Sequence, residues 1–369
     1  MLRVLTLSTL FPNADRPNFG IFVELQVVAP IASPPWPFDR LARYRDAATM
    51  PPREIRNGLI VHRPRFIHLP GPGMRFAPNM ITRALLPMLK ALRRDFRFDV
   101  IDAEFFWPDG PAAAMLGTAL GVPVSIKARG GDIHHWGAQP WGRRQLLAAG
   151  QAARGMLAVS GALKRDMAVL GLPEDRISVH YTGVDLDRFV PAPRPKRDGP
   201  LLITVGYLIE RKGQAFVIDA LRELPDARLM LIGDGPARLA LQARIAAAGL
   251  QDRIEFTGSI PHAELPALFA GADVMVLPSA SEGLANVWVE ALACGTPIVI
   301  ADVGGAREVV DRPAAGRIVD RTPEAIAAGV RAVLADPIDR QATRAVAERF
   351  TWNANSTALH AHLSALVER

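Results

Sequence analysis

Glu282 and Glu290 lie in the segment Pro278-Ser-Ala-Ser-Glu282-Gly-Leu-Ala-Asn286-Val-Trp-Val-Glu290-Ala-Leu-Ala-Cys-Gly-Thr-Pro297. Ionised carboxylates are pure acceptors, suited to the hydroxyls of a sugar or a ribose. One glutamate precedes a helical run and the other sits in its second turn, so both can face one bound molecule. The loop from Glu282 to Asn286 occupies a helix start, where backbone N–H groups without intrahelical partners suit a phosphate. Carboxylates for hydroxyls beside amides for a phosphate are what a sugar phosphate or a nucleotide requires.

That reading needs a strand leading into the loop and a helix leading out. Residues 274–277 are an uninterrupted apolar strand, Asn286 is expected as the N-cap, residues 287–293 as an apolar helix, and Gly295 as its end before a strand at Ile298. The same alternation runs through the second half. Apolar runs at 201–205, 229–232, 254–256, 274–277 and 298–300 read as strands buried on both faces, with helical periodicity at 236–248 and 263–270 between them. Such a doubly wound α/β sheet binds ligands beyond the carboxyl ends of its strands. The first half repeats the pattern at 4–7, 59–61, 100–101, 122–126 and 156–159. A run rich in proline and charge, 191–200, marks the domain boundary, giving domains at 1–190 and 191–350. A last helix, 351–369, is expected to cross back to the first. After the strand ending near Ser8, a stub of helix at 21–25 and a strand at 26–31 are expected, short for a parallel crossover.

The 369 residues are 49% hydrophobic, enough for two cores. The single cysteine, Cys294, excludes an intramolecular disulfide framework and points to a reducing, cytoplasmic setting. Met1 to Leu10 is read as a buried strand, since no small-residue cleavage site precedes Phe11-Pro12, and no apolar run approaches the roughly 20 residues that span a bilayer. The net charge of +6 is uneven: residues 1–185 hold 23 Lys/Arg against 15 Asp/Glu, the remainder 20 against 22. The basic half favours an anionic partner. In 75–98, Arg75, Arg83, Lys90, Arg93, Arg94 and Arg97 accompany Ile81, Leu85, Met88, Leu89 and Leu92 at helical spacing. The segment reads either as a peripheral contact with an anionic membrane or as a core-packed helix with a basic outer face. No nucleic-acid recognition motif accompanies the charge.

Glu-Gly-x-x-Asn after Pro-Ser, a second glutamate separated from the first by seven residues, and Cys-Gly-Thr-Pro downstream resemble the signature of family 4 retaining glycosyltransferases. The fold this implies is GT-B, two Rossmann-like doubly wound domains with a cleft between them. The resemblance covers nearly the whole chain and is strongest over 201–310. It implies that Glu282 contacts the donor sugar and Glu290 the nucleotide ribose, with Gly283, Leu284, Ala285 and Asn286 against the donor. Val205-Gly206-Tyr207-Leu208-Ile209-Glu210-Arg211-Lys212-Gly213 is similar to the family's diphosphate grip. Arg211 and Lys212 are the implied cations, with Tyr207 where arginine is common. Fixed cations there would offset the charge growing on a departing nucleotide.

Ile232-Gly-Asp-Gly-Pro236 and Phe256-Thr-Gly258-Ser259-Ile260-Pro261 resemble segments lining the nucleotide pocket, the second through its backbone. In the first half, Pro17-Asn-Phe-Gly20-Ile-Phe22 resembles a flexible loop whose glycine lets backbone approach the ligand. Lys127-Ala-Arg129-Gly-Gly-Asp132-Ile-His134-His135 is similar to a segment in which a histidine meets the donor sugar. Asp132 matches the pattern and is an implied catalytic group, Arg129 stands at the histidine position, and His134 is a further candidate. Tyr181-Thr-Gly-Val-Asp185 resembles the hinge segment.

The implied reaction moves a sugar from a nucleoside diphosphate sugar to a glycan or lipid-linked acceptor with retained configuration, in cell-surface polysaccharide or glycoconjugate synthesis. It needs neither cofactor nor metal, and Asp185-Leu-Asp187 lies at the interdomain edge, where nothing calls for an ion. A GT-B epimerase or phosphorylase, or a silent binding protein, would share the same frame. A dinucleotide-dependent oxidoreductase would place Gly-x-Gly-x-x-Gly after the first strand, where this chain has Ser8-Thr-Leu-Phe-Pro12.

Overall fold

The computed structural model describes residues 2–9, 23–33, 35, 50–56, 58–69, 71–335 and 338–368. The chain divides into two compact units, Met1–His180 with Ser356–Arg369, and Tyr181–Asn355. The division falls earlier than the proline-rich segment 191–200. That segment belongs to the second unit because Arg194 and Arg197 both bond Asp273, at 3.1 and 2.9 Å.

In the first unit the strands are β1 (Leu2–Leu7), β2 (Val23–Val28), β3 (Ile31–Ser33), β4 (Arg53–Arg56), β5 (Leu59–His62), β6 (Arg65–Ile67), β7 (Val100–Ala103), β8 (Val124–Ala128), β9 (Gly155–Ala158) and β10 (Ile177–Val179). Among the described residues eight of them form one sheet, ordered β10-β9-β8-β7-β1-β2-β5-β4, while β3 pairs with β6. All neighbours in the large sheet run parallel except β4 with β5. The helical stub expected at 21–25 is overturned from Val23 onward, where the chain is already strand, paired Leu2 to Val23 through Leu7 to Val28. β-branched Val23, Val27 and Val28 favour the pleat over a helix.

The chain returns to this unit in its last helix, Trp352–Val367. Leu359, Leu363 and Leu366, on one face of that helix, pack with Val4, Val100 and Leu157 of the sheet. Gly155 makes room for it: a Cβ there would lie 2.7 Å from Cε1 of His362, and the imidazole Nε2 bonds Ser125 Oγ at 3.1 Å. The helix Ala77–Asp95 buries Ile81, Leu85 and Leu89 completely and turns Arg83, Lys90 and Arg94 outward. It is therefore a core-packed helix with a basic outer face, and its apolar stripe is occupied by the fold.

The second unit contains β11 (Leu201–Val205), β12 (Arg228–Ile232), β13 (Ile254–Gly258), β14 (Val274–Leu277), β15 (Ile298–Ala301) and β16 (Gly316–Val319). They form a wholly parallel sheet ordered β13-β12-β11-β14-β15-β16. The core joins Leu202, Leu229, Leu231, Val274, Val276 and Val299 from the sheet to Val217, Ile218, Leu241, Ile245, Ile326 and Val330 from the helices. Strand order reverses between β11 and β14, which puts the crevice for a ligand beyond their carboxyl ends.

Candidate functional site

Both chemistry-bearing segments of the second unit leave the sheet at this switch point, one after β11 and one after β14. Gly213, at φ +77°, passes so close to the second that a Cβ would collide with the Pro278 carbonyl oxygen. Ala280 N–H donates to the Arg211 carbonyl at 2.8 Å, and the Arg211 guanidinium donates to the Ser281 carbonyl. Lys212 Nζ then reaches Glu282 Oε1 at 2.6 Å, with Arg211 Nη1 3.9 Å from Oε2. The Glu282 side chain is only 10% exposed, so the carboxylate is held largely out of water by two cations. Gly206 lies above the Lys212 stem, its would-be Cβ 3.8 Å from Cε. Tyr207 points outward, 60% exposed.

The loop is fixed from behind by a turn that the sequence does not single out. Gly304, at φ +51°, would bring a Cβ into collision with the Glu282 carbonyl, and Gly305 N–H donates to the Gly283 carbonyl at 2.8 Å. Only glycine tolerates both the backbone and the approach. Gly283, Leu284 and Ala285 are buried. The helix runs Asn286–Ala293 with Ala285 at the N-cap and no side-chain capping bond, which corrects the expectation that Asn286 caps it. The Asn286 amide oxygen instead accepts from Thr182 Oγ1 at 2.8 Å. Such a start leaves its amides to other partners.

One turn on, Glu290 is 7% exposed. His262 Nε2 bonds its Oε1 at 2.9 Å, while Oε2 is buried with no hydrogen-bond partner among the described residues. His262 follows Gly258, Ser259 and Ile260, so it links the segment expected at the base to the glutamate expected at the ribose. Gly258 takes Gly233 N–H on its carbonyl at 2.9 Å, joining the two glycine turns. Cys294 is buried and its thiol is pushed up to about 12, by burial first and the Glu290 charge second, so it is not a nucleophile near neutral pH.

In the first unit Asp132 turns inward. It is 7% exposed, with Oδ2 taking Phe106 N–H at 2.7 Å and Oδ1 taking Arg129, Gly130 and Ile133 N–H at 2.9, 2.9 and 3.2 Å. Burial raises its pKa against those bonds and the Arg129 charge. With both oxygens so engaged it shapes the loop after β8 rather than presenting a carboxylate to a substrate. Arg129 bonds the Glu104 carbonyl through Nε at 3.0 Å and also its carboxylate, which Lys127 Nζ shares at 3.0 Å. Glu104 carries no signal in the sequence, where it lies far from both partners. His134 is paired with Asp166 at 2.9 Å, each side chain partly exposed, and is not among these groups. Gly20 and its segment lie outside the described residues.

A doubly wound sheet in each unit, with cations, two carboxylates and a helix start at the switch point of the second, defines a protein of GT-B type. Residues 187–350 match the model described as Glycosyl transferases group 1, and residues 22–188 the model of Glycosyltransferase Family 4. The GDP-mannose-dependent α-(1-6)-phosphatidylinositol monomannoside mannosyltransferase of Mycolicibacterium smegmatis is 34% identical over 272 residues, 68% of this chain and 71% of that protein. TuaC of Bacillus subtilis, a glycosyltransferase named for teichuronic acid biosynthesis, is 28% identical over 355 residues, 89% of this chain and 88% of its own. The crystal structure of Anabaena HepE in complex with UDP has the same fold, with a TM-score of 0.76 at 20% identity over 99% of this chain and 100% of that one. The chain belongs to the family 4 glycosyltransferases.

Proposed function

We propose that this glycosyltransferase takes a nucleoside diphosphate sugar as donor and passes the sugar, with retained configuration, to a hydroxyl of a glycan or lipid-linked acceptor in cell-surface polysaccharide or glycoconjugate synthesis. The observation that carries the reading is the arrangement of Arg211 and Lys212 around Glu282 beside a helix start, with the orphaned oxygen of Glu290 one turn further on. The GDP-mannose dependence of the mycobacterial relative and the UDP complex of the Anabaena protein are consistent with such a donor.

In this reading Glu290 accepts a ribose hydroxyl, the backbone of Gly258, Ser259 and Ile260 meets the base, and the amides of Gly283 to Asn286 meet phosphate oxygens. The arriving diphosphate draws Lys212 away from Glu282, whose carboxylate then takes the hydroxyls of the sugar. The bond from the anomeric carbon to the phosphate oxygen breaks as the acceptor oxygen bonds to that carbon on the same face. The acceptor proton passes to the leaving phosphate, so no enzyme nucleophile or metal is required. Arg129 and Asp132 shape the loop beside which the acceptor is expected to bind.

Melting the protein with UDP-glucose, GDP-mannose and ADP-glucose tests this. A donor present at a hundred times its dissociation constant stabilises by about 2.7 kcal/mol, and one of the three should raise the melting temperature of wild type clearly more than that of the Glu290→Ala protein. Three donors without effect would remove the nucleotide-sugar reading.

A further inference from the structure

We infer that His262 is a positioning residue for nucleotide binding: it holds Oε1 of Glu290 so that the other carboxylate oxygen is presented to a ribose hydroxyl. The inference rests on the reading of Glu290 as the ribose ligand. A glutamate side chain has three rotatable bonds, and fixing it in one direction costs entropy unless a partner does so beforehand. Here the partner is the 2.9 Å bond from His262 Nε2, and the result is an acceptor atom, Oε2, buried without a hydrogen bond among the described residues. An unpaired buried carboxylate oxygen is expensive, which favours a donor hydroxyl in that place.

His262 is itself held. The ring packs against Phe189 with centroids 5.4 Å apart, and Phe189 in turn against Phe269 at 6.4 Å. Arg344 secures both sides of this arrangement, donating to the Phe189 carbonyl at 2.5 Å and to the Ala293 carbonyl, at the end of the helix bearing Glu290, at 2.6 Å. Imidazole and carboxylate are thus brought together by elements fixed to one guanidinium, and their separation is a property of the packed unit rather than of two flexible side chains.

Titration calorimetry with UDP, GDP and ADP, and with the 2′-deoxy and 3′-deoxy form of whichever binds, tests the inference on the full chain. His262→Ala should weaken binding about tenfold, the scale of one hydrogen bond to a charged group, with turnover at saturating donor within about twofold of wild type. His262→Gln, which can still donate to Oε1, should stay within about threefold. Removing the hydroxyl that meets Glu290 should cost less in the alanine variant than in wild type, because the two losses share one interaction. His262→Leu keeps packing on Phe189 without a donor and serves the same comparison should the alanine variant not fold. Unchanged affinity in the alanine or leucine variant would overturn the inference, and so would glutamine behaving like alanine, since packing alone would then explain both. A wild type that binds none of the three diphosphates would take down the donor reading as well.

Discussion

Lys212 and Glu282, 2.6 Å apart, satisfy each other in this structure, and this decides what their removal should do. Glu282→Ala releases Lys212 and Arg211 to the phosphates, so affinity for the bare nucleoside diphosphate should hold or rise. Turnover should fall at least about tenfold, because the sugar loses the group that orients it. Nucleotide affinity lost in parallel with turnover would contradict this division of roles. Changing Arg211 and Lys212 together to alanine should cost turnover about 3 kcal/mol, the scale of losing one preorganised donor at developing negative charge. Glu290→Ala should raise the donor KM more than it lowers kcat, since a ribose contact serves ground and transition states alike. Arg211, Lys212 and Glu282 were legible because each follows a strand within a few positions, and Glu290 because it lies in the helix that the Glu282 loop opens. His262 was not, because its partner lies 28 residues on, and Glu104 meets Lys127 and Arg129 only through the pairing of β7 with β8.

At the scale of elements, strands 201–205 and 274–277 coincide with their apolar runs, since burial on both faces leaves little ambiguity of period. At the start of the 286–293 helix local propensity favours asparagine as the cap, but a tertiary bond to Thr182 engages that side chain and Ala285 takes the cap position. Gly304→Ala should displace the Glu282 backbone and lower turnover with little loss of fold, a result that steady-state kinetics beside a melting curve would check. Two buried groups set opposite pH dependences in the first unit. His362 is pushed down to about 4 from 6.5, by burial and then the Lys127 charge, so only the unfolded chain takes up a proton between those values. Its stabilising share is present above pH 6.5 and is lost as pH falls towards 4, by about 3 kcal/mol in all. Asp109 is raised to about 7 from 3.8 by burial first; its share is present below pH 3.8 and is lost as pH rises through 7. Between pH 7.5 and 5, His362→Asn should therefore lose less melting temperature than wild type and Asp109→Asn more. The reverse order would place the perturbed groups elsewhere.

For the whole molecule, two doubly wound units were readable from alternating apolar runs, whereas the placement of 191–200 depended on Asp273, a tertiary partner that composition does not reveal. Among the described residues no helix is long and apolar enough to cross a membrane. Ile81, Leu85 and Leu89 are spent in the core, and Arg93 is committed to the Leu120 carbonyl at 2.6 Å. Attachment through the helix Ala77–Asp95 would then use its outer cations. We propose that Arg83, Arg94 and Arg97 contribute about 1 kcal/mol each at an anionic surface. Their change to glutamine should abolish sedimentation with phosphatidylglycerol vesicles at low salt without altering donor hydrolysis, and a protein that ignores such vesicles would end the membrane reading. The central claim, retaining transfer from a nucleotide sugar at Glu282 and Lys212, is tested most directly with water as a slow acceptor. Proton NMR can follow the first sugar released from UDP-glucose, GDP-mannose or ADP-glucose before mutarotation. The account predicts the donor's own anomer, equimolar with nucleoside diphosphate, from wild type and at least about tenfold less from Glu282→Ala. The opposite anomer appearing first, or equal release by the variant, would contradict it.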